Sequence, residues 1–444
     1  MSGLGKQNFR SWGQYPESFP QNIVRLPWVN GSLFVNKPEK KSLYLAYGQG
    51  RSYGDSCQNN SETLIDTRRL THIHFFDSEQ GVLRCEAGVT LSDILSVIVP
   101  HGWFLPVTPG TQYVTIAGAV ANDVHGKNHH HVGSFGNHVM QLELYRSNDE
   151  SFICSPEQNT EQFYSTIGGL GLTGLIKWVE IKLKRIINPY ISSKQKSFSS
   201  ISDFFLIEGE DNSEYNVAWI DTTSTSNKLG RGIFFSGEHS QQNLSVNESA
   251  KDSCRKLNIP VNLPNSTLNK YTVKAFNKLY YFTHKNRQEQ SQIHYAPFFY
   301  PLDNIDNWNR MYGNRGFFQH QCVVPVDDGQ EVITEILKLV SKEGMASFLS
   351  VLKKFGNIPS VGMMSFPREG YTLALDFPNY GSRTLNFLNE IDKLVQSVNG
   401  AIYPAKDARM SIEMFAQSFP RIEEFKKYID PNFSSSFWRR VTGC

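Results

Sequence analysis

Histidine and glycine residues are concentrated in one stretch of the 444-residue chain, residues 122–138, which reads NDVHGKNHHHVGSFGNH. Five of the twelve histidines fall within it. The preceding run, TPGTQYVTIAGAVA (108–121), contains small and β-branched residues and no charge. Small side chains let a backbone approach a large flat ligand, and N–H groups in tight turns can bind phosphate. This combination predicts a cofactor site.

The adjacent histidines His129, His130 and His131 suggest a metal site as the alternative chemistry. Asp123 is the one carboxylate among these residues, and adjacent residues of an extended strand point to opposite faces. We therefore expect no metal here and a solvated loop at His130 and His131. His125 ends the small-residue run, and it is the histidine expected to face a ligand.

Two glycine-rich runs could bind a dinucleotide. Residues 169–174 (GLGLTG) fit the GxGxxG spacing, but a strand is predicted to follow where the dinucleotide fold needs a helix. GQGRSYGD (48–55) has the wrong third spacing. It is either a plain tight turn or, as we favour, a nest whose backbone N–H groups, with Arg51 and Ser52, hold a pyrophosphate.

Size and composition restrict the classes of protein. A chain of this length predicts two domains, and a formal net charge of +2 gives no electrostatic reason to expect nucleic-acid binding. There is no apolar run of 18 residues, and the N-terminal sequence lacks the apolar segment of a signal peptide. The six cysteines form no CxxC pair. We therefore expect a cytoplasmic protein with free thiols.

Several elements are predicted to position these motifs. Thr90 and Asp93 form a capping-box pattern before apolar residues at helical spacing, which predicts a helix over residues 90–99. Polar residues 222–228 and 240–267 are expected to form exposed, partly mobile loops. A second helix is expected around Phe387–Val395, and strands are expected at 43–48, 82–87, 179–183, 215–220, 318–324, 347–352 and 372–377.

Motifs spread over nearly the whole chain resemble the flavoprotein subunits of decaprenylphosphoryl-ribose 2′-epimerases, which belong to the vanillyl-alcohol oxidase superfamily. The resemblance implies an α+β fold of two domains. One is an FAD-binding domain of residues 1–190 completed by 401–444, and the other is an antiparallel-sheet substrate domain of residues 191–400. The main matching motifs are GQGRSYGDS (48–56), PVTPGTQYVTIAGAVANDVHGKNHH (106–130), GSFGNHV (133–139), GLTGLI (171–176) and YPAKDARM (403–410).

The resemblance also implies FAD as the cofactor. Related enzymes with covalently attached flavin often carry a histidine in the first of these loops, whereas this chain reads GQGRSYG. We therefore expect non-covalent FAD. The cofactor-binding residues implied by the match are Gly48, Gly50, Arg51, Ser52, Tyr53, Gly54, Gly110, Thr115, Ala117, Gly118, Asn122, His125, Ile176 and Tyr403.

Lys406 and His125 are implied as catalytic residues. A cation at Lys406 would stabilise the negative charge that builds on the flavin as hydride arrives. Ala374 replaces a cysteine of the mycobacterial members, and Thr372 replaces a neighbouring asparagine. The substrate-binding residues implied by the match are Lys127, Trp219, Gln319, Gln321, Lys353 and Thr372.

The activity implied is FAD-dependent oxidation of the 2′-hydroxyl of a polyprenyl-phosphoryl-β-D-ribose to the 2′-keto sugar. A separate short-chain NAD(P)H-dependent reductase would complete the epimerisation. The enzyme would work peripherally at a membrane without crossing it. Two alternatives stand beside this interpretation: an FAD-dependent oxidase of a soluble sugar or aldonolactone on the same fold, and a non-catalytic, metal-binding protein built on the cluster of residues 129–131.

Overall fold

The computed structural model describes residues 9–19, 22–26, 42–242, 256–285, 290–345 and 347–443. The strands in these residues are β1 (Asn22–Arg25), β2 (Tyr44–Tyr47), β3 (Thr63–Asp66), β4 (Ile73–Asp77), β5 (Val82–Glu86), β6 (Trp103–Phe104), β7 (Val139–Tyr145), β8 (Ser151–Cys154), β9 (Leu175–Lys182), β10 (Lys184–Arg185), β11 (Tyr190–Phe198), β12 (Tyr215–Ile220), β13 (Gly232–His239), β14 (Leu257–Asn258), β15 (Ser291–His294), β16 (Ile305–Asp306), β17 (Phe317–Val324), β18 (Ser350–Phe355), β19 (Gly370–Pro378) and β20 (Ala401–Ile402).

Helices cover the sheets and connect their strands. They are α1 (Leu91–Ile98), α2 (Ile116–Ala121), α3 (His129–Val132), α4 (Thr160–Thr166), α5 (Ile201–Glu210), α6 (Lys270–Lys285), α7 (Tyr295–Phe299), α8 (Val326–Glu343), α9 (Ser382–Ser397), α10 (Ile412–Ser418), α11 (Ile422–Phe425) and α12 (Ser436–Thr442). None of the helices in the described ranges combines the length and the apolar character that crossing a membrane requires.

The predicted α+β fold is confirmed, and the strands divide between two regions of the chain. The first region carries a five-stranded sheet in the order β4-β5-β9-β7-β8 and a parallel sheet β1-β3-β2. The second carries an eight-stranded antiparallel sheet in the order β15-β11-β13-β12-β18-β19-β17-β20. The domains 1–190 with 401–444 and 191–400 remain our proposal, and at their boundary β20 (Ala401–Ile402) pairs with β17 in the eight-stranded sheet.

The eight-stranded sheet has one apolar face and one polar face. Phe204 of α5, Ile333 of α8 and Ile391 of α9 pack on the apolar face, against sheet residues such as Leu373 and Leu375. Because side chains alternate across a strand, the neighbours of these sheet residues point to the other face. That face is turned toward the first region, and it carries the polar side chains described below.

The predicted helix near residue 90 is confirmed as α1. Thr90 Oγ1 accepts a hydrogen bond from the Asp93 amide at 3.2 Å, and Asp93 Oδ2 accepts one from the Thr90 amide at 3.0 Å. This capping box satisfies amides that the first helical turn leaves without partners. Apolar side chains at helical spacing, Leu91 and Leu95 among them, are buried beneath it.

The C-terminal segment returns to the first region. The Arg440 guanidinium lies 2.8 Å from Asp55, directly after the glycine-rich loop, and 2.8 Å from Asp407, in the segment that carries Lys406. Burial opposes charge on Arg440, but these two carboxylates raise its pKa. Because both carboxylates are buried, Arg440 stabilises the two segments against each other.

The loop predictions need correction at Thr222, Ser224 and Ser240, which are buried. Thr222 Oγ1 donates a hydrogen bond to the Ser347 carbonyl at 2.9 Å, and Ser224 Oγ donates one to the Asp221 carbonyl at 2.7 Å. Residues 225–228 are exposed, as predicted. The mobility predicted for 240–267 concerns a segment of which residues 243–255 lie outside the described residues.

Candidate active site

One cavity of about 1240 Å³ lies between the loops of the first region and the polar face of the eight-stranded sheet. Every site residue named from the sequence lines it, except Gly54. Gly110 borders open space in this cavity, because a Cβ at this glycine would have no neighbour within 4 Å. The fold therefore brings together motifs that are separated by more than 300 residues of sequence, from Gly48 to Lys406.

The glycine-rich loop forms one end of the cavity wall. Gly50 has a φ of +60°, and a Cβ there would lie 2.1 Å from the Tyr47 hydroxyl, so a side chain cannot be accommodated. Gly54 faces away from the cavity. A Cβ at Gly54 would lie 1.7 Å from the Asp407 carbonyl oxygen, and the adjacent Tyr53 amide donates to the Ala405 carbonyl at 2.8 Å. The role of Gly54 is thus to let this loop approach the Lys406 segment.

The small-residue run forms the opposing wall through helix α2. Thr115 caps this helix by accepting a hydrogen bond from the Gly118 amide at 3.2 Å. The loop and the helix touch at Gly48, where a Cβ would lie only 2.6 Å from Thr115 Oγ1. Ala117 and Gly118 line the cavity without filling it. The walls at this end are therefore mostly backbone and methyl groups.

Arg51 contributes a positive charge to this end. Its guanidinium lies 4.3 Å from the Trp12 ring centroid, and its buried Nε has no hydrogen-bond partner among the described residues. A planar guanidinium with an unused donor suits phosphate oxygens. Arg51, the backbone of the glycine-rich loop and the open space at Gly110 together fit a ligand with a pyrophosphate group and a large planar ring.

Three partly buried lysines line the middle of the cavity. Lys406 Nζ lies 3.8 Å from the Tyr53 ring centroid, and Lys353 Nζ donates to the Gly126 carbonyl at 3.3 Å. Lys127 donates to the Phe298 carbonyl. Burial lowers the pKa of Lys353 to about 8, and burial together with repulsion by Lys353 lowers that of Lys127 to about 7.

A buried carboxyl, Asp376, lies behind Lys406. Gln319 Nε2 donates to Asp376 Oδ1 at 2.5 Å, while Oδ2 has no hydrogen-bond partner among the described residues. Burial raises the pKa of Asp376 and lowers that of Lys406, and the attraction between the two groups opposes both shifts. Lys406 therefore gives up its proton more readily than an ordinary lysine, which makes its charge state responsive to a bound ligand.

His125 is neutral and has one unused ring nitrogen. Burial, reinforced by the charges of Lys353 and Lys406, holds its pKa well below the usual range. Gln321 Nε2 lies 2.9 Å from His125 Nε2 and 3.1 Å from Thr372 Oγ1. With the amide donating to both groups, the imidazole hydrogen is on Nδ1, which is buried without a partner in the described residues. Nδ1–H and the Gln321 carbonyl oxygen are therefore free for a ligand.

Beyond the lysines, the cavity walls become aromatic and apolar. Trp219 Nε1 donates to the Phe348 carbonyl at 3.0 Å, which fixes the indole. Its ring packs on Tyr280 with centroids 4.6 Å apart. Phe276 and Phe235 continue this wall. This part of the cavity, which we call the apolar wing, can hold a hydrocarbon.

Strand β17 presents alternate side chains to the cavity and to the core. Gln319 and Gln321 line the cavity, whereas Cys322 is fully buried in the core on the other face. Ala374, which pairs with Gln321 in the sheet register, also lines the cavity. A methyl group at this position offers no nucleophile, so compounds that act by capturing a thiol there have no target on Ala374.

The loop predicted at His130 and His131 needs correction, because residues 129–132 form the short helix α3. His129 is buried against Phe355, with centroids 4.5 Å apart, and His131 is exposed. His130 is only half-buried and its Nε2 lies 3.0 Å from the Ser213 carbonyl. The described residues contain no group of three or more His, Cys, Asp or Glu side chains that could hold a metal ion.

Two features of the site were not anticipated from the sequence. Asp376 follows Thr372 and Ala374 at alternate positions of β19, and this spacing could have indicated that it lies on the same face. The aromatic residues of α6 that line the apolar wing carried no comparable signal, because only Val273, Asn277 and Tyr281 of this helix are buried.

Comparisons with known proteins identify the cofactor class. Residues 38–155 match the family model described as an FAD binding domain. The chain is 35% identical over 414 residues to decaprenylphosphoryl-β-D-ribose oxidase of Mycolicibacterium smegmatis, covering 89% of this chain and 88% of that protein. It is 26% identical to an uncharacterized protein of Streptomyces coelicolor, covering 80% of this chain and 100% of that protein. A putative D-arabinono-1,4-lactone oxidase of Neurospora crassa is 28% identical, covering 30% of this chain and 24% of that protein.

The cavity offers no reactive attachment point for FAD in its first loop. Cys57 is the thiol nearest this loop, and burial raises its pKa to about 12, so it is protonated and unreactive at neutral pH. We therefore predict that acid or heat denaturation releases all of the yellow colour into the supernatant. Absorbance of the separated supernatant and pellet measures this. Flavin that stays with the precipitated chain would show a covalent bond.

Proposed function

Because the chain belongs to the family of decaprenylphosphoryl-β-D-ribose oxidase and is an FAD-dependent oxidoreductase, we propose that it oxidises the 2′-hydroxyl of a polyprenyl-phosphoryl-β-D-ribose to the 2′-keto sugar. The observation that carries this proposal is the order of the cavity walls. Backbone and methyl groups at one end, lysines and glutamines in the middle, and the apolar wing beyond them match a flavin, a phosphoryl sugar and a prenyl chain.

In this proposal the small-residue end holds the cofactor. Arg51 and the backbone of residues 48–53 would bind the pyrophosphate, and Gly110, Ala117 and Gly118 would leave room for the rings. When bound, FAD supplies the acceptor for the hydride that leaves C2 of the sugar, and the proton of the 2′-hydroxyl would leave to water in the cavity. Tyr53 and Tyr403 would border the cofactor, and Tyr403 is held by a 2.9 Å hydrogen bond from its hydroxyl to the Asn122 carbonyl.

The polar middle would bind the sugar and its phosphate. The Gln321 carbonyl oxygen would accept a hydrogen bond from a ribose hydroxyl, since both amide hydrogens are used by His125 and Thr372. His125 Nδ1–H would donate to an oxygen of the bound molecules. Lys353 and Lys127 would neutralise the phosphodiester as point charges. Trp219 would lie where the prenyl chain enters the apolar wing.

Lys406 would supply the positive charge for the hydride-transfer step. Charge moves toward the cofactor as the C–H bond breaks, and a positioned cation in an enclosed site stabilises that change. Asp376 and Gln319 would position Lys406 and adjust its proton affinity. Lys406 touches the reacting groups in this proposal, whereas Asp376 acts through it.

Two partners belong to the proposal. The keto sugar would leave for a separate short-chain NAD(P)H-dependent reductase, because completing an epimerisation requires a hydride from the other face of the sugar. The prenyl chain of the substrate would remain in a lipid phase, so the enzyme would make peripheral contact with a membrane. The apolar wing supports this arrangement, because a free sugar has no use for it.

The proposed substrate is tested by anaerobic flavin reduction. We predict that a polyprenyl-phosphoryl-β-D-ribose bleaches the flavin absorbance in a single turnover, whereas free ribose and an aldonolactone at the same concentration do not. Matched controls are the prenyl alcohol phosphate without the sugar and the methyl phosphoryl-ribose without the chain. Equal bleaching by free ribose or by the aldonolactone would favour the oxidase of a soluble sugar and contradict the proposal.

Lys406→Ala should slow flavin reduction by about a hundred- to a thousandfold, which corresponds to roughly 3–4 kcal/mol of transition-state stabilisation. Lys406→Arg keeps the charge and is the control.

The pH dependence gives a second test. Because the cationic form of Lys406 is the active one, the rate of flavin reduction in the parent protein should fall as pH rises through the lowered pKa of Lys406, with the slope expected for loss of one proton. This fall should be absent in Lys406→Arg. Stopped-flow absorbance measures both effects. A parental rate in Lys406→Ala, or the same decline in Lys406→Arg, would remove Lys406 from this role.

A further inference from the structure

Helix α6 displays an exposed apolar surface that the proposed chemistry does not use. Among the described residues, thirteen large hydrophobic side chains are exposed, and six of them lie between residues 257 and 282. On α6 itself, Tyr271 is 77% exposed, Leu279 65% and Phe282 52%. An exposed apolar cluster of this kind marks an interaction surface, since isolated exposed residues would be spread over the molecule.

The same segment carries charge of only one sign. Residues 256–285 contain five lysines and no aspartate or glutamate, although the whole chain has a formal net charge of only +2. Four of these lysines are on α6: Lys270, Lys274, Lys278 and Lys285. None of the four forms an ion pair within the described part of the chain. The complement of this surface is therefore anionic.

The residues are ordered around the circumference of α6. With about 100° per residue, positions four apart form rows along the helix. Val273, Asn277 and Tyr281 form the row buried against the protein. The lysines lie on one side of this row, and Thr272, Phe276, Tyr280 and His284, which line the cavity, lie on the other. Tyr271, Leu279 and Phe282 face outward between the lysines and the cavity row.

We propose that α6 docks on the surface of an anionic lipid bilayer, with Tyr271, Leu279 and Phe282 in the interface and the lysines at the headgroups. A helix with a basic face and an aromatic and aliphatic face lies in a membrane interface in this way. Because α6 also lines the apolar wing, docking brings that end of the cavity to the lipid. This role of the surface rests on the proposed function, because only a lipid-linked substrate would have to enter the cavity from the bilayer.

A lipid surface fits these residues better than a second copy of the chain. A symmetric protein contact would bring the lysine row of each α6 near the other, and no acidic residue of segment 256–285 could offset that repulsion. Anionic headgroups attract each lysine instead. Aromatic side chains beside lysines are also the composition found at the level of the headgroups.

The test is flotation of the FAD-loaded protein with vesicles of phosphatidylcholine, with or without phosphatidylglycerol. We expect binding to the anionic vesicles. The double variant Leu279→Ser and Phe282→Ser should weaken it by about ten- to a hundredfold. Lys274→Gln with Lys278→Gln should weaken it by about fivefold per lysine on anionic vesicles only. Leu206→Ser, at a 68% exposed leucine of α5, is the matched control and should bind as the parent does.

The outcomes separate this proposal from the proposed function. Leu279 and Phe282 do not line the cavity, so the double variant should still reduce its flavin with a detergent-dispersed substrate at the parental rate. Failure of the parent to float with anionic vesicles, or equal loss of binding in Leu206→Ser, would overturn the docking surface. So would a parent dimer that the double variant abolishes. Vesicle binding without flavin reduction by a polyprenyl-phosphoryl ribose would leave the surface intact and overturn the substrate.

Discussion

The structure depends on positive charge held inside a cavity. Lys406, Lys353 and Lys127 line the same cavity, and among the described residues only Lys406 is attracted by a nearby carboxylate, that of Asp376. Transferring a charge from water into a protein costs several kcal/mol unless a partner compensates it. Lowered pKa values reduce this cost, because part of the charge is given up. A bound anion would favour the charged form of the lysines again, so the cavity is electrostatically suited to a pyrophosphate and a phosphodiester.

Long-range contacts keep these charges in place. Lys406 is the neighbour of Asp407, and Arg440 fixes Asp407 and Asp55 at the same time. Gly54 allows the loop after β2 to lie against Asp407. The C-terminal segment thus joins the wall that would hold the cofactor to the lysine that would act on the substrate. The eight-stranded sheet supplies the opposite wall, where alternate residues of β17 and β19 reach the cavity.

Local patterns predicted much of this arrangement. The capping box of α1, the alternation in β17 and the motifs that line the cavity depend on residues close in sequence, and the structure contains them. The local motif places Gly54 in the cofactor loop. It cannot reveal the contact with Asp407, which lies more than 350 residues further along the chain. Helix α6 was not predicted. Only a narrow row of its residues is buried, and the apolar residues on its outward face hide the spacing that identifies a helix packed on a core. The loop expected at His130 and His131 is a short helix, because so few residues carry no periodic signal in the sequence.

Proton uptake tests the central claim most directly. A polyprenyl methyl phosphate carries the charge and chain of the proposed substrate but neither titrates near neutral pH nor reacts. Isothermal titration of this compound into the FAD-loaded protein at pH 8, in two buffers of different ionisation enthalpy, gives the number of protons bound. Because the pKa of Lys353 is about 8 and that of Lys127 is about 7, both lysines are partly neutral at pH 8, and binding an anion should take up more than half a proton. The double variant Lys353→Met with Lys127→Met should largely remove this uptake. Binding without proton uptake, or equal uptake in the double variant, would contradict the account.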